Sequence, residues 1–218
     1  MAATPAPTAL TGAILVGGGS RRMGADKASL VVDGRTMLER AAGSLAGLCS
    51  DVLVVARVDQ PIPFVTTPVR VVRDRVADAG PLAGIDAALA VARSALLVVV
   101  PVDMPLLRSE VLGLMLDTAV ADPRLDAVTL CSDGAMRPLP AVYRSRVAST
   151  VTRMLAEGRR RLTDLLSELT VAEIDESRWR RLDPAGRSMR NVNVPADLDV
   201  ARDPTPPGAP AMDDAQSW

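Results

Sequence analysis

The stretch that most constrains this chain is Gly12–Lys27, with the sequence GAILVGGGSRRMGADK. An apolar run, residues 13–16, stops at three consecutive glycines, and two arginines, a further glycine and a lysine follow. The pattern predicts a buried strand whose carboxyl end opens into a loop. Glycines accept positive φ and leave their N–H groups open, while Arg and Lys add positive charge. We therefore expect this loop to bind an anion, and we expect that anion to be a nucleotide phosphate.

The loop matches neither of the two commonest nucleotide-binding patterns. A Walker loop has its lysine directly after the last glycine, whereas here Ala25 and Asp26 separate Gly24 from Lys27. The dinucleotide pattern GxGxxG also fails, because the third glycine is not at the required offset. Taken alone, the glycines are equally compatible with another interpretation, a surface turn whose basic residues are simply solvated.

Short apolar runs alternate with helical patterns along the rest of the chain. The predicted strands end at Val16 and then cover Asp51–Ala56, Val69–Val72, Leu96–Val100, Ala127–Cys131, Leu139–Tyr143 and, as an edge strand, Val171–Ile174. The predicted helices cover Thr36–Leu48, Leu82–Ala92, Pro105–Val120, Val147–Ala156 and Leu162–Leu169. Such alternation is typical of βαβ units. We predict an α/β protein with a mostly parallel central sheet and helices on both faces.

Composition excludes several classes of protein. The net charge is −1, which argues against a general nucleic-acid binder. The absence of histidine excludes Ser-His-Asp and Cys-His catalysis and His-ligated zinc. No apolar run approaches the length of a membrane span, and no signal peptide is evident, so we expect a cytoplasmic protein without membrane contact. The two cysteines, Cys49 and Cys131, lie in apolar surroundings and are expected to be buried, reduced thiols.

Two acidic residues follow predicted parallel strands and are candidates for chemistry. Ligands of open α/β sheets bind beyond the carboxyl ends of the strands, so the glycine loop, Asp74 and Asp103 should meet in one crevice. Asp103 at the end of the most apolar strand suits a Mg²⁺ ion shared with nucleotide phosphates, although an Asp before a helix also serves as a cap. Asp74 can accept hydrogen bonds from guanine, although a loop acid is often simply solvated.

Five blocks of sequence resemble the molybdenum cofactor guanylyltransferase family. They are LVGGGSRRMGADKASL, DRVADAGPLAGI, VPVDMPLL, RPLPAVY and NVNVPADL, and they run in order from about Gly12 to Leu198. The resemblance implies a three-layer Rossmann-like nucleotidyltransferase fold and transfer of GMP from GTP to Mo-molybdopterin with release of pyrophosphate. Alternatives are a cytidylyltransferase of the same cofactor, a related transferase acting on another small phosphorylated substrate, and a non-catalytic nucleotide-binding adaptor.

The resemblance also implies roles for individual residues. Arg22, Lys27 and Asp103 would be catalytic, with Mg²⁺ held by Asp103. GTP would contact Leu15, Val16, Gly17, Gly18, Lys27, Asp74, Gly80 and Asp103. Arg137, Pro138, Asn191 and Asn193 would lie on the molybdopterin side, together with the basic residues at 159–161. Val16 stands where alanine is usual in the family, and Val194 stands where threonine is usual.

The expected organisation is one domain with two extensions. Residues 1–10 and the Pro-rich residues 203–218 are poor in large apolar side chains and are predicted to be disordered. Residues 11–202 are predicted to form a single nucleotidyltransferase domain. The resemblance further implies protein partners, namely molybdopterin-insertion proteins and apo-molybdoenzymes that receive the product.

Overall fold

A computed structural model describes residues 10–16, 27–74 and 80–192 of the chain. Its strands are β1 (Thr11–Leu15), β2 (Val31–Val32), β3 (Arg35–Thr36), β4 (Asp51–Ala56), β5 (Arg70–Arg73), β6 (Leu96–Pro101), β7 (Ala127–Ser132), β8 (Ala135–Arg144) and β9 (Val171–Ile174). Its α-helices are α1 (Met37–Ala46), α2 (Gly80–Val91), α3 (Ser109–Ala121), α4 (Ala148–Ala156), α5 (Leu162–Ser167) and α6 (Glu176–Trp179). Short 3₁₀ turns cover Lys27–Ser29, Ser145–Val147 and Arg187–Met189.

Seven strands form one sheet in the order β5-β4-β1-β6-β8-β7-β9, and β2 pairs with β3 in a separate hairpin. Strands β5, β4, β1 and β6 are mutually parallel. Strand β8 is antiparallel to both β6 and β7, and β7 is parallel to β9. The described sheet is therefore parallel except where β8 joins it, as the prediction of a mostly parallel sheet requires.

Helices cover both faces of the sheet because its central strands are apolar on both faces. In β6, Leu96, Val98 and Val100 belong to the core shared with α1 and α3. Leu97 and Val99 of the same strand belong to the core shared with α2, α4 and α5. Successive strand residues point to opposite faces, so a continuous apolar run is what a strand with two covered faces needs. The predicted three-layer α/β fold is confirmed.

Most predicted elements lie within a few residues of the observed ones, but the predicted starts of two elements need correction and one hairpin was missed. Helix α3 begins at Ser109 rather than at Pro105, because Leu107 N–H bonds to the Met104 carbonyl in a turn and Arg108 has extended backbone angles. Strand β8 begins at Ala135, four residues before the predicted start. The β2–β3 hairpin was not predicted at all.

Two Asp-Gly turns account for the last two of these differences. Asp33 and Gly34 join β2 to β3, and Asp133 and Gly134 join β7 to β8, all four with positive φ. Positive φ at both central residues defines the type I′ hairpin turn, for which Asp-Gly is a strong sequence signal. The sequence therefore contained the information for both hairpins.

The two thiols differ in exposure. Cys49 is buried as predicted, whereas Cys131 is half-buried, so the prediction of two buried thiols is wrong for Cys131. Cys131 lies beside α6, since its carbonyl accepts a 2.7 Å hydrogen bond from Nε1 of the buried Trp179. Within the described residues, no helix combines the length and hydropathy of a membrane span.

Candidate functional site

The carboxyl ends of the parallel strands form one continuous edge. Backbone hydrogen bonds extend the strand pairing past the strand ends: Val16 N–H donates to the Val55 carbonyl (3.0 Å), and Val102 N–H donates to the Leu15 carbonyl (3.1 Å). Asp74 N–H donates to the Ala56 carbonyl (2.9 Å). The segments that follow β1, β5 and β6 therefore leave the sheet along the same edge, where ligands bind in α/β sheets.

An ion pair between Lys27 and Asp103 stands at this edge. Lys27 Nζ is 3.2 Å from Asp103 Oδ2, and 18% of the Lys27 side chain and 23% of the Asp103 side chain are exposed. Lys27 opens the 3₁₀ turn Lys27–Ser29, which the fully buried Ala28 anchors to the core. A carboxylate in such a partly desolvated position needs a compensating cation, and the protein itself supplies one.

Asp103 does not cap the helix that follows it. Helix α3 has Arg108 at its N-cap position, five residues beyond Asp103. The backbone of Asp103 is instead held from the C-terminal side, since Val192 N–H donates a 2.8 Å hydrogen bond to the Asp103 carbonyl. The alternative of a capping role is therefore wrong, and the carboxylate faces Lys27.

The glycine loop itself lies outside the described residues, and with it Gly17, Gly18 and Arg22. Its entry is described. Leu15 and Val16 are almost fully buried, so their backbone rather than their side chains is available to a ligand. The Val16 carbonyl accepts a 3.0 Å hydrogen bond from Nε2 of the buried Gln60. Gln60 was missed by sequence reasoning, because it lies 44 residues from Val16 and belongs to no motif.

Asp74 and Gly80 flank residues 75–79, which lie outside the described part of the chain. Asp74 follows β5, and Gly80 is the first residue of α2, with a φ of +69° that favours glycine. Gly84, one turn on, is buried, and a Cβ there would lie 3.0 Å from Leu15 Cδ2. Its missing side chain therefore lets α2 approach the sheet closely.

The antiparallel direction of β8 brings its first residues to the same edge. Leu96 of β6 pairs with Arg144, and Val99 pairs with Ala141, so Arg137 and Pro138 extend past the carboxyl end of β6. The Arg137 guanidinium is 2.7 Å from Asp133 Oδ2. Asn191 adjoins Val192, which is bonded to Asp103, whereas Asn193 lies outside the described residues.

The basic stretch at residues 159–161 is tied into surface ion pairs. Arg159 pairs with Glu168, and Glu168 also pairs with Arg153. Both arginines lower the pKa of the Glu168 carboxyl, Arg159 more than Arg153. Arg159, which lies between α4 and α5, therefore has an acidic partner within the protein.

A mostly parallel sheet whose first strand leads into a glycine-rich stretch of sequence, and which carries a lysine–aspartate pair at its carboxyl edge, defines an α/β protein of the nucleotidyltransferase class. Comparison with known proteins identifies the family. The sequence model of the family described as "MobA-like NTP transferase domain" matches residues 12–173. The chain belongs to this family of MobA-like NTP transferase domains.

Relatives and solved structures agree with this assignment. A probable molybdenum cofactor guanylyltransferase from Methanothermobacter thermautotrophicus is 37% identical over 86% of this chain and 96% of its own length. The molybdenum cofactor guanylyltransferase of Desulfosudis oleivorans is 32% identical over 88% of this chain and 94% of its own. Molybdopterin-guanine dinucleotide biosynthesis protein A from Archaeoglobus fulgidus superimposes with a TM-score of 0.72 at 26% identity, covering 88% of this chain and 96% of its own.

A more distant structure shares the fold alone. The 2-C-methyl-D-erythritol 4-phosphate cytidylyltransferase of Thermus thermophilus has a TM-score of 0.64 at 18% identity, and the alignment covers 87% of this chain and 95% of that one. The same sheet thus serves proteins with different substrates, and substrate choice must be argued from the site.

Proposed function

We propose that this protein is a molybdenum cofactor guanylyltransferase, which transfers GMP from GTP to Mo-molybdopterin and releases pyrophosphate. The observation that carries the proposal is the Lys27–Asp103 pair at the carboxyl edge of the sheet. Asp103 follows β6, which pairs with β1, the strand that leads into the glycine loop. The names of the relatives that align over most of the chain support the choice of substrates.

The chemistry needs positioned charge rather than a protein nucleophile. Attack of a phosphate oxygen of molybdopterin on the α-phosphorus of GTP forms the new P–O bond and breaks the bond to pyrophosphate. Negative charge grows on the α-phosphate oxygens and on the leaving group, so fixed positive charge lowers the barrier. In this proposal Lys27 and Arg22 supply that charge, and the backbone of Leu15, Val16, Gly17 and Gly18 positions the nucleotide.

The residues at the edge fit a Mg²⁺ ion. Asp103 offers hard carboxylate oxygens in a partly exposed position, and Mg²⁺ prefers one or two carboxylates completed by phosphate and water oxygens. Among the described residues no cluster of three or more His, Cys, Asp and Glu forms a metal site. Asp103 would therefore hold the ion together with the nucleotide, and the ion when bound would neutralise phosphate charge.

We assign recognition of the guanine base to one side of the carboxyl edge and binding of molybdopterin to the other side. Asp74 and Gly80, after β5 and at the start of α2, are proposed to face the guanine. An Asp carboxylate can accept hydrogen bonds from guanine N1–H and the exocyclic amine, which adenine does not offer in that arrangement. Arg137, Pro138, Asn191 and Asn193 are proposed to line the molybdopterin side.

Release of pyrophosphate from GTP and Mg²⁺ in the presence of purified Mo-molybdopterin tests the proposal directly. Asp103→Asn should lower turnover by on the order of 10² or more, because it removes the charge that holds the metal. Absence of pyrophosphate release by the unmodified protein, or near-normal turnover of Asp103→Asn, would overturn the assignment.

A second experiment tests the nucleotide. Calorimetric titration with GTP, CTP and ATP in Mg²⁺ should show preference for GTP, and Asp74→Ala should reduce the preference for GTP over ATP by roughly 10-fold or more. An Asp74→Ala variant that is equally selective would remove Asp74 as the selector. Tighter binding of CTP than GTP would instead favour a cytidylyltransferase of the same cofactor.

The domain boundaries and cellular context follow as parts of the same proposal. One sheet with two cores from β1 to Val192 supports a single domain over residues 11–202. The expectation of a cytoplasmic enzyme, which comes from the sequence pattern, is part of this proposal. So is the transfer of product to molybdopterin-insertion proteins and apo-molybdoenzymes, which the family resemblance implies.

A further inference from the structure

Residues 183–192, called here the C-terminal strap, bond to the segment that contains Asp103 at two points. At one end of that segment, Val192 N–H donates to the Asp103 carbonyl (2.8 Å). At the other end, Arg108 N–H donates to Ser188 Oγ (3.2 Å). The strap therefore brackets residues 103–108, which connect the candidate metal ligand to the first turn of α3.

The bracketed segment has little regular structure of its own. Its internal backbone bonds are single turns, from Met104 N–H to the Pro101 carbonyl (3.4 Å) and from Leu107 N–H to the Met104 carbonyl (3.2 Å). Neither turn involves the N–H or the carbonyl of Asp103. Contacts from outside the segment therefore act together with the turn that spans Asp103 and with the buried side chains of Met104 and Leu107 in placing the Asp103 carboxylate.

A buried carboxyl group shapes the strap. Asp183 is 2% exposed and Ser188 is fully buried. Asp183 Oδ2 accepts a 2.6 Å hydrogen bond from Ser188 N–H, and the Asp183 carbonyl accepts another from Gly186 N–H (2.9 Å). Gly186 takes the left-handed conformation that this tight turn requires (φ +64°). The Asp183 side chain therefore sets where the Ser188 hydroxyl stands.

We propose that Asp183 and Ser188 are positioning residues for Asp103. Asp183 fixes Ser188, Ser188 fixes the start of α3, and the strap continues to Val192, which fixes the Asp103 backbone itself. This inference rests on the proposed function, because it assigns Asp103 a metal. Residues that orient a metal ligand through hydrogen bonds influence metal affinity strongly, so loss of either side chain should change the metal dependence of the enzyme.

The test compares Ser188→Ala, Asp183→Ala and Asp183→Asn with Ser94→Ala. Ser94 is a matched control, since it is a buried serine whose Oγ also accepts a backbone N–H, that of Thr11, but at the amino end of the sheet. For each variant, the Mg²⁺ concentration giving half-maximal pyrophosphate release is measured. Binding of Mn²⁺ to the protein–GTP complex is followed by electron paramagnetic resonance, which needs no turnover.

Ser188→Ala and Asp183→Ala should raise the half-maximal Mg²⁺ concentration and weaken Mn²⁺ binding by on the order of 10-fold. Asp183→Asn should restore most of the metal affinity, because its amide oxygen can still accept from Ser188 N–H. Ser94→Ala should leave the metal dependence unchanged, even where it lowers stability. Ser188→Ala removes only one oxygen atom, so this variant still tests the proposal if Asp183→Ala does not fold.

Metal dependence of Ser188→Ala equal to that of the unmodified enzyme would overturn the positioning role. An equal shift in Ser94→Ala would overturn it too, because the effect would then be general destabilisation. The Asp103→Asn variant distinguishes failure of the positioning role from failure of the proposed function. If Asp103→Asn loses activity and Mn²⁺ binding while Ser188→Ala does not, the positioning role alone is wrong. If Asp103→Asn binds Mn²⁺ normally, the metal site itself is wrong.

Discussion

At the scale of single residues, Asp103 has two potential cationic partners. In the described structure its carboxylate pairs with Lys27 at 3.2 Å, and the proposed function gives it a divalent ion as well. Two cations at one carboxylate repel each other unless further negative charge arrives. A nucleotide triphosphate supplies that charge, so metal and nucleotide should bind cooperatively.

Lys27→Met tests this competition. Without nucleotide, the variant should bind Mn²⁺ about 5-fold or more tightly than the unmodified protein, because it lacks the repulsion between the Lys27 ammonium and the metal ion. Two unit charges 4 Å apart interact by about 1 kcal/mol even in water. With GTP present, it should bind the metal–nucleotide complex more weakly, since a phosphate contact is lost. Electron paramagnetic resonance of Mn²⁺ measures both affinities.

Arg70→Met is the control for overall charge. Arg70 pairs with Asp51 at 2.6 Å, away from the carboxyl edge, and its loss changes the net charge by the same amount as loss of Lys27. It should leave Mn²⁺ binding unchanged. If Lys27→Met binds Mn²⁺ without nucleotide no better than Arg70→Met does, the two cations do not compete for Asp103.

The thiols give a second prediction at this scale. Burial, with a smaller effect from the Asp51 carboxylate, raises the pKa of Cys49 to about 12. The pKa of Cys131 is also raised, mainly by a hydrogen bond with Glu173 and to a smaller extent by burial. Because the thiolate is the nucleophile, iodoacetamide at pH 8 should label the half-buried Cys131 slowly and Cys49 only on unfolding, as mass spectrometry would show. Rapid labelling of Cys49 in native Cys131→Ser would contradict this.

At the scale of secondary-structure elements, the sequence predicts what is apolar and local. The run DVLVVA predicts β4 with its observed bounds, because both faces of the strand are buried after Asp51 and those five positions are all apolar. Helix α3 was predicted to begin too early, because Pro105 suits a first helical turn. Its start at Ser109 follows a turn and an extended Arg108, whose N–H bonds to Ser188, 80 residues away, and no local pattern reports that bond.

Asp126 ties three elements together. Its Oδ2 accepts from Thr170 N–H ahead of β9 (2.9 Å), and its Oδ1 accepts from Arg146 Nε ahead of α4 (2.7 Å), while Asp126 itself precedes β7. Burial alone would raise the pKa of Asp126, but the hydrogen bonds from Thr170 and Arg146 outweigh it and lower the pKa below its usual value. The ionised form is therefore favoured in the folded protein.

A lowered pKa in the folded state stabilises the protein above the ordinary Asp pKa of about 4, and this stabilisation is lost as pH falls through the folded-state pKa. Asp126→Asn should lower the free energy of unfolding by about 1 kcal/mol at pH 7. The difference from the unmodified protein should shrink below about pH 4. Urea denaturation at several pH values measures it. A difference that stays constant down to pH 3 would show that the Asp126 charge is unimportant.

Arg146→Met is the matched partner variant for Asp126→Asn. If the ion pair accounts for the effect, the two substitutions together should destabilise by less than the sum of the single effects. Strict additivity would assign the effect to the Thr170 hydrogen bond instead.

At the scale of the whole molecule, the candidate site is assembled by contacts between distant parts of the chain. The sequence predicted that Asp103 and the glycine loop with Lys27 share an edge, because both follow parallel strands at their carboxyl ends. Their direct ion pair, the Gln60 contact to the glycine-loop entry and the strap across Asp103 join residues 44 to 89 positions apart. Such contacts have no periodicity or spacing from which sequence reasoning could infer them.

The folded unit also extends past the region shared with the family description, which ends at residue 173. Trp179 of α6 is fully buried and belongs to the core that includes residues of α1 and α3. Its indole Nε1 donates a 2.7 Å hydrogen bond to the Cys131 carbonyl, and the strap follows it directly. Trp179 therefore fixes the chain just before the strap, which is also bonded to Asp103 and Arg108.

Trp179→Ala should destabilise the protein by about 3–5 kcal/mol, because it leaves a cavity in a packed core. Trp179→Phe keeps much of the apolar volume and should cost about 1–3 kcal/mol, chiefly by leaving the Cys131 carbonyl without its donor. Urea denaturation followed by circular dichroism measures both. Stability of Trp179→Ala within about 0.5 kcal/mol of the unmodified protein, the range of ordinary surface substitutions, would mean that the core ends at β9. The strap would then be held by its own contacts, such as the bonds of Val192 to Asp103 and of Ser188 to Arg108.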